Sequence, residues 1–497
     1  MSLLVFVGIA FGASLLAMVL RGRAAIVPVV GLLGLAGCVL GAIAIQPGQA
    51  LVIGGSGLAT SPYLRLFLVL GSLVGLGLAV AGVAGGTRRD APAVTLAILG
   101  ASALTMGLVD PRAAVLVATA GGLCGVLVTI LPRAARAGAT VGIREARAVI
   151  VAGVLAIAAT AWIGRDLSEL DAQLAVYGLA YLAMAVAVAM RFGAIPFHLW
   201  AARLTDVVPE TSLPTLMALA PASLAVVALA WVGAAVAPLS LDVGPERAII
   251  AAIAIVTIVA AAIAAFVQDD IEHILGYSIV GDAGVVVLAL AILEPAGWQA
   301  ARMWILAFVV TRGAFAAWAA GIRAGLWTGR VPDLRGWVWR SPILAIAFVV
   351  ITVASVGFPG LAAYDARRTI VDLALPAPLS LVVVVAALAP VAYYARLFLI
   401  GLGRPDQALA PAGAWLPHVP PAGPHGIRRR LAGAWDINRP FTTAVIAATL
   451  AVLSLATAAG AFDGPVAAAG PPPVVIQPDL GPLPSLEPPV PSEQAPA

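Results

Sequence analysis

One decapeptide, Arg191-Phe192-Gly193-Ala194-Ile195-Pro196-Phe197-His198-Leu199-Trp200, sets a permanent cation, a helix-breaking proline and a histidine inside a long apolar stretch. A second stretch of the same kind runs Gln268-Asp269-Asp270-Ile271-Glu272-His273 and continues to Tyr277, Ser278 and Asp282. Ser278 and Asp282 are four residues apart and share a helix face. Arg312 lies midway along a further apolar run. Another run breaks at Gly357-Phe358-Pro359-Gly360, with Asp365, Arg367 and Arg368 close behind, and Arg396 follows Tyr393-Tyr394. Carboxyl and imidazole groups can take and pass protons. A guanidinium cannot, because its pKa is too high, so Arg191, Arg312 and Arg367 are fixed charges that bias their neighbours.

The elements holding these groups are membrane spans. Of 497 residues 62% are hydrophobic and 10% charged, against about 25% charged in soluble domains. Spans need about 20 apolar residues each. Fourteen stretches meet that test: 2–20, 25–46, 64–84, 92–109, 113–131, 147–164, 173–190, 213–237, 247–267, 273–293, 301–322, 341–359, 377–401 and 440–461. The fold class is therefore an all-α polytopic membrane protein. The first 20 residues carry no basic residue ahead of their apolar run and read as a first span, not a cleaved signal.

Every one of the 28 basic residues is arginine. Most fall in loops after odd-numbered spans, among them Arg21, Arg23, Arg88, Arg89, Arg133, Arg136, Arg144, Arg147, Arg323, Arg330, Arg335 and Arg340. The positive-inside rule makes those loops cytoplasmic and both termini outward, in a multi-pass protein of the inner (plasma) membrane. The organisation expected is N-terminal spans over 1–90, a core over 91–401, a Pro/Arg-rich cytoplasmic loop over 402–439, a last span at 440–461 and a tail over 462–497. That tail has eleven prolines, four acids and no base, and reads as a solvated extension.

Charges and broken backbone are both costly in hydrocarbon and survive inside protein or beside a polar cavity. Two interrupted spans, the seventh at Pro196 and the twelfth at Pro359, lie five spans apart, the construction of repeat-built transporters. Bland alternatives stand beside this. Acids at 269–272 suit a helix N-terminus, Asp282 and Arg312 suit a structural ion pair, and His198 suits a hydrogen-bonded core histidine. Cys38 and Cys124 sit in apolar runs without metal-ligand spacing, and no phosphate loop or dinucleotide fingerprint is present.

These motifs resemble a family: the antiporter-like membrane subunits of respiratory NADH–quinone oxidoreductase (complex I), multisubunit cation/proton antiporters and membrane-bound hydrogenases. Arg191 to Trp200 is similar to its lysine-x4-Pro-Phe-His-x-Trp segment, Gln268 to Gly284 to its Gln-x-Asp-x-Lys-Arg segment, and Gly357 to Arg367 to its Gly-x-Pro-Pro segment. Tyr393-Tyr394-Ala395-Arg396 is similar to its Tyr-Tyr-Leu-Arg close and favours the N-type subunit. The resemblance implies two inverted five-helix repeats with discontinuous helices and a buried proton relay. It implies other membrane subunits as partners beside the lipid bilayer, no nucleic acid, and no cofactor of this chain's own. In a complex I setting NADH and quinone belong to partner subunits.

The chain departs from the pattern. Arg191 and Arg367 replace lysines, the eighth span carries no charge, and the fifth has no glutamate where the family places one. The relay implied is degenerate. His198, Glu272, His273 and Asp282 are its candidate titrating groups, with Arg191, Arg312, Asp365 and Arg367 as fixed or pathway charges and Pro196 and Pro359 at the breaks. The alternatives are a subunit of a cation/proton antiporter or hydrogenase, or a non-pumping structural subunit.

Overall fold

A computed structural model describes residues 2–23, 26–53, 56–85, 91–130, 136–162, 170–239, 243–404 and 426–468. The protein is a helical membrane bundle, as its composition requires. Lipid offers no partner to backbone N–H and C=O groups, so each apolar stretch must satisfy them within a helix. Helices α1 (Ser2–Val19) and α2 (Ile26–Ile43) are followed by a hairpin, β1 (Ala50–Ile53) and β2 (Ser56–Ala59), paired antiparallel with Ala50 opposite Ala59. Then come α3 (Pro62–Gly85), α4 (Ala91–Gly107), α5 (Pro111–Ile130), α6 (Arg136–Trp162) and α7 (Leu170–Phe192), with the short α8 (Leu199–Leu204) beyond a break.

Helix α9 (Ala220–Trp231) is flanked by π-helical turns at Thr215–Leu219 and Val232–Val236. Next are α10 (Gly244–Val267), α11 (Ile271–Ala289), the 32-residue α12 (Pro295–Leu326), the short α13 (Trp337–Arg340), α14 (Pro342–Val356) and α15 (Ala362–Ala374). The series closes with α16 (Ala377–Ala387), α17 (Pro390–Leu402), α18 (Gly426–Ala458) and the short α19 (Asp463–Ala467). Proline opens α3, α5, α12, α14 and α17, where its missing N–H would have been unpartnered anyway.

Among the described residues, nine helices are long and apolar enough to cross a membrane. Shorter apolar helices at Ala91–Gly107, Val176–Phe192, Pro342–Val356 and Pro390–Leu402 stand where other spans were expected. Helix α12 is the axis of the bundle, packed against α3, α11, α14, α15 and α18. Around it Phe315, Trp318, Trp337, Phe348 and Tyr394 form one aromatic cluster. Helices α1 and α2 lie at the edge and turn Leu15, Leu16, Leu33 and Leu40 outward, as lipid-facing helices do.

Both interruptions fall where the sequence placed them. Helix α7 stops at Phe192 before Gly193 (φ 67°) and a cis Ile195–Pro196 bond, and α14 stops at Val356 before Gly357 (φ 62°) and Gly360 (φ 96°). Positive φ at these glycines is open to a residue without Cβ.

Three elements differ from expectation, the first being the span expected at 377–401, which is two helices, α16 and α17, separated by a turn ahead of Pro390. Helix α6 begins at Arg136, not 147, because only one of three adjacent ionisable residues turns inward: Arg144 and Arg147 are exposed while Glu145 is buried. Helix α18 begins at Gly426 and carries Pro440 inside it, so the loop expected at 402–439 is partly helical. Residues 405–425 of that loop and 469–497 of the proline-rich tail lie outside the described residues.

Candidate functional site

The Pro-Phe-His-x-Trp segment repairs the break it creates. Ala194 N–H donates to the Ala189 carbonyl at 2.8 Å, Ile195 N–H to Thr257 Oγ1 of α10 at 3.0 Å, and Trp200 Nε1 to the Met190 carbonyl at 3.1 Å. Trp200 thus shares the Met190 carbonyl with the Gly193 N–H, which also donates to it at 3.1 Å. His198 precedes α8, half-buried, and its Nδ1 has no hydrogen-bond partner among the described residues.

Arg191 closes α7 and is buried. Its guanidinium lies over α5, where a Cβ on Gly122 would stand 2.6 Å from Nη2. A Cβ on Gly125, one turn further, would stand 4.0 Å from Oε1 of Glu145, which α6 delivers with 1% of its surface exposed. Arg191 and Glu145 lie within each other's field. Among the described residues, Arg191 Nη1 and Glu145 Oε2 are buried without hydrogen bonds. Helix α5 has no acid, as the sequence shows. It has instead two glycines that make room for a cation from α7 and an acid from α6. The counter-charge has moved to the neighbouring helix.

A second buried charge site joins α11, α12, α14, α15 and α17. Arg312, fully buried, donates from Nε to Asp282 Oδ2 at 2.6 Å, with Nη2 also 2.6 Å from that oxygen. Its Nη1 donates to Tyr394 Oη at 2.8 Å, and that hydroxyl donates to Ser355 Oγ at 3.0 Å. Trp304 Nε1 donates to the Asp282 carbonyl at 3.1 Å. Arg367 Nη2 donates to the Val356 carbonyl at 2.7 Å, capping the C-terminus of α14, where the helix dipole favours a cation. It also faces the rings of Trp304 and Tyr364. A small cavity between α10, α11 and α17 reaches Ser278, Asp282, Arg367 and Tyr393.

These two sites flank α9, which packs on α5 and α7 on one side and on α12 on another. The segment Thr215–Val236 holds no ionisable side chain, so it supplies no charged station between them.

A third cluster gathers where α11 begins and α12 ends. Glu272 pairs with Arg323 and Glu210 Oε2 lies 3.8 Å from the same guanidinium, so one cation faces both carboxyls. His273 Nε2 and Asp206 Oδ1 are 3.0 Å apart. Asp270 caps α11 through the Glu272 N–H at 2.9 Å. Arg396 binds the Phe266 and Gln268 carbonyls at 2.6 and 2.7 Å and Asp269 at 2.6 Å, tying α17 to the α10–α11 turn.

The candidate residues therefore fall into three places. Arg191 is in the first and His198 follows it at the break. Asp282, Arg312 and Arg367 are in the second, and Glu272 and His273 in the third. Asp365 is exposed on the first turn of α15, and Pro359 is exposed in the α14–α15 break. Glu145, Glu210 and the Arg323 contact are residues that reading by apolar run does not find. Glu145 sits between two arginines and looks like part of a loop, and Glu210 lies in the loop ahead of α9. Among the described residues no group of three or more His, Cys, Asp or Glu could hold a metal.

The comparisons with known proteins bear on the same segment. Residues 156–391 match the family described as NADH:quinone oxidoreductase/Mrp antiporter, TM. The matched segment contains Arg191, the break at Pro196 and Asp282, Arg312 and Arg367 of the second site, while Glu145 lies just ahead of it and Tyr394 just beyond it. Relatives include NADH-quinone oxidoreductase subunit N of Halorhodospira halophila, 28% identical over 48% of this chain and 49% of the relative. Subunit N 2 of Solidesulfovibrio magneticus is 31% identical over 52% and 53%. The matched segment thus spans about half the length of each relative. Among solved structures, a chain of the Mrp complex from a Dietzia species superposes with TM-score 0.72 at 18% identity, over 96% of this chain and 99% of that one. A chain of respiratory complex I from Thermus thermophilus gives 0.64 at 19%, over 91% and 99%. The antiporter-like fold extends over nearly the whole chain.

Proposed function

We propose that the protein is a membrane-arm subunit of proton-translocating type in an NADH–quinone oxidoreductase-like complex, with a relay rearranged around arginine. The observation that carries this reading is the buried Glu145 facing Arg191 beside the α7–α8 break, inside the fold that the family shares. A buried charge in a membrane is expensive and marks a pathway by default. In the Arg191–Glu145 site only the carboxyl can exchange a proton at working pH, since arginine holds its own. Glu145 is then the group that titrates, and Arg191 sets its field. At the second site Asp282 is the acid and Arg312 and Arg367 are the fixed charges.

On this reading the chain lies in a bacterial plasma membrane with the arginine-rich loops inside and both termini outward, surrounded by other membrane subunits. NADH and quinone react elsewhere in the complex. The test is the proton-to-electron ratio of the whole complex in sealed membrane vesicles carrying Glu145→Gln or Asp282→Asn. A lowered ratio supports the reading. An unchanged ratio in both variants refutes it and leaves a structural subunit.

A further inference from the structure

Two carboxylates placed side by side in a buried site repel each other unless a cation or a proton lies between them. Glu210 and Glu272 are brought together at one guanidinium, from the loop ahead of α9 and the first turn of α11. One guanidinium, Arg323, serves both. The three side chains grade inward: Arg323 is 42% exposed, Glu272 15% and Glu210 1%. Glu210 Oε2 has no hydrogen-bond partner among the described residues and is aimed into the cluster. One guanidinium neutralises one carboxylate, and the second remains to be neutralised. Asp270 adds another acid beside Glu272, and Asp206 with Arg203 and His273 closes the neighbouring side.

We infer that Glu210 and Glu272 form a proton-loading port, which takes a proton from the aqueous face past Arg323 and holds it between the two carboxyls. The transfer is simple. Hydronium gives its proton to a carboxylate oxygen, an O–H bond forms there, and water leaves. Ser212, two residues beyond Glu210, is buried and its Oγ has no hydrogen-bond partner among the described residues. One turn further, Leu216 packs where a Cβ on Gly125 would be, 3.0 Å from its Cδ2, and Gly125 borders Glu145. The port thus stands at the outer end of the segment that leads to the Arg191–Glu145 site. This inference rests on the proposed function for the direction of flow, but proton holding by the pair stands apart from it.

The test uses the intact complex and pH-difference infrared spectra, which read a protonated carboxyl directly. Glu210→Gln and Glu272→Gln are expected to abolish the same carboxylic-acid band, and the double variant to remove nothing more. Glu210→Asp is expected to keep a shifted band, which guards against a variant that merely misfolds. Arg323→Gln is expected to leave the band in place, since the pair keeps its proton without the guanidinium. Persistence of the band in either glutamine variant, or its loss only with Arg323→Gln, overturns the port in favour of a purely structural ionic lock. That result is distinct from an unchanged proton-to-electron ratio in Glu145→Gln and Asp282→Asn, which overturns the proposed function and leaves the band prediction standing.

Discussion

Asp282→Asn separates packing from charge at the second buried site. The substitution keeps the shape of the side chain and removes its charge. Arg312 then loses the charged acceptor of its two short contacts at 2.6 Å to Oδ2, and is left with a neutral amide oxygen there and the Tyr394 hydroxyl at 2.8 Å. Removing one partner of a buried ion pair costs about 3–5 kcal/mol, because the remaining charge is left unpaired. The retained Tyr394 bond puts this site toward the lower end, at about 3 kcal/mol, roughly a hundredfold in a folding equilibrium. Adding Arg312→Met removes the stranded cation, and replacing both members of a buried pair is often neutral. The double variant is therefore expected to recover most of the loss. The assay is the denaturant midpoint of the purified complex, read by size exclusion as the fraction still assembled. A single variant costing less than about 1 kcal/mol, the level of a surface pair, refutes the reasoning. So does a double variant no more stable than the single.

Other substitutions test the remaining sites. Gly122→Ala brings a Cβ to 2.6 Å from Arg191 Nη2, so Arg191 must shift off α5; the variant is expected to assemble and to show a lower proton-to-electron ratio, and an unchanged ratio counts against the site. Arg367→Lys replaces a planar donor that caps α14 and faces Trp304; a loss of about 1–2 kcal/mol in the same denaturant assay is expected, from one charge-assisted hydrogen bond. Arg396→Gln frees three acceptors on the α10–α11 turn and is expected to speed amide exchange around Phe266–Asp270 while α12 stays protected.

Much of the fold was legible because lipid leaves so few choices. Apolar runs of sufficient length had to be helices, and a proline two or three residues after a glycine broke one, as Gly193 with Pro196 and Gly357 with Pro359 show. Charge was harder to read. Windows that score apolar runs discard a turn holding Arg144, Glu145 and Arg147, although the helix turns only Glu145 inward. Glu210 hides in a short loop for the same reason, and its partner Glu272 is 62 positions on. Asp282 and Arg312 could be singled out but not joined, since pairing depends on how α11 and α12 cross. The absence of an acid from α5 was plain. That Gly122 and Gly125 admit an acid from α6 is a property of packing and appears only in three dimensions.

The central claim is that Glu145 is the proton-bearing member of the Arg191 site. The measurement that tests it most directly is the proton-to-electron ratio of sealed vesicles carrying Glu145→Gln, normalised to assembled complex and compared with Glu145→Asp. A ratio that falls with glutamine and is largely restored by aspartate is the result expected. Equal ratios in the unsubstituted protein and both variants would contradict it.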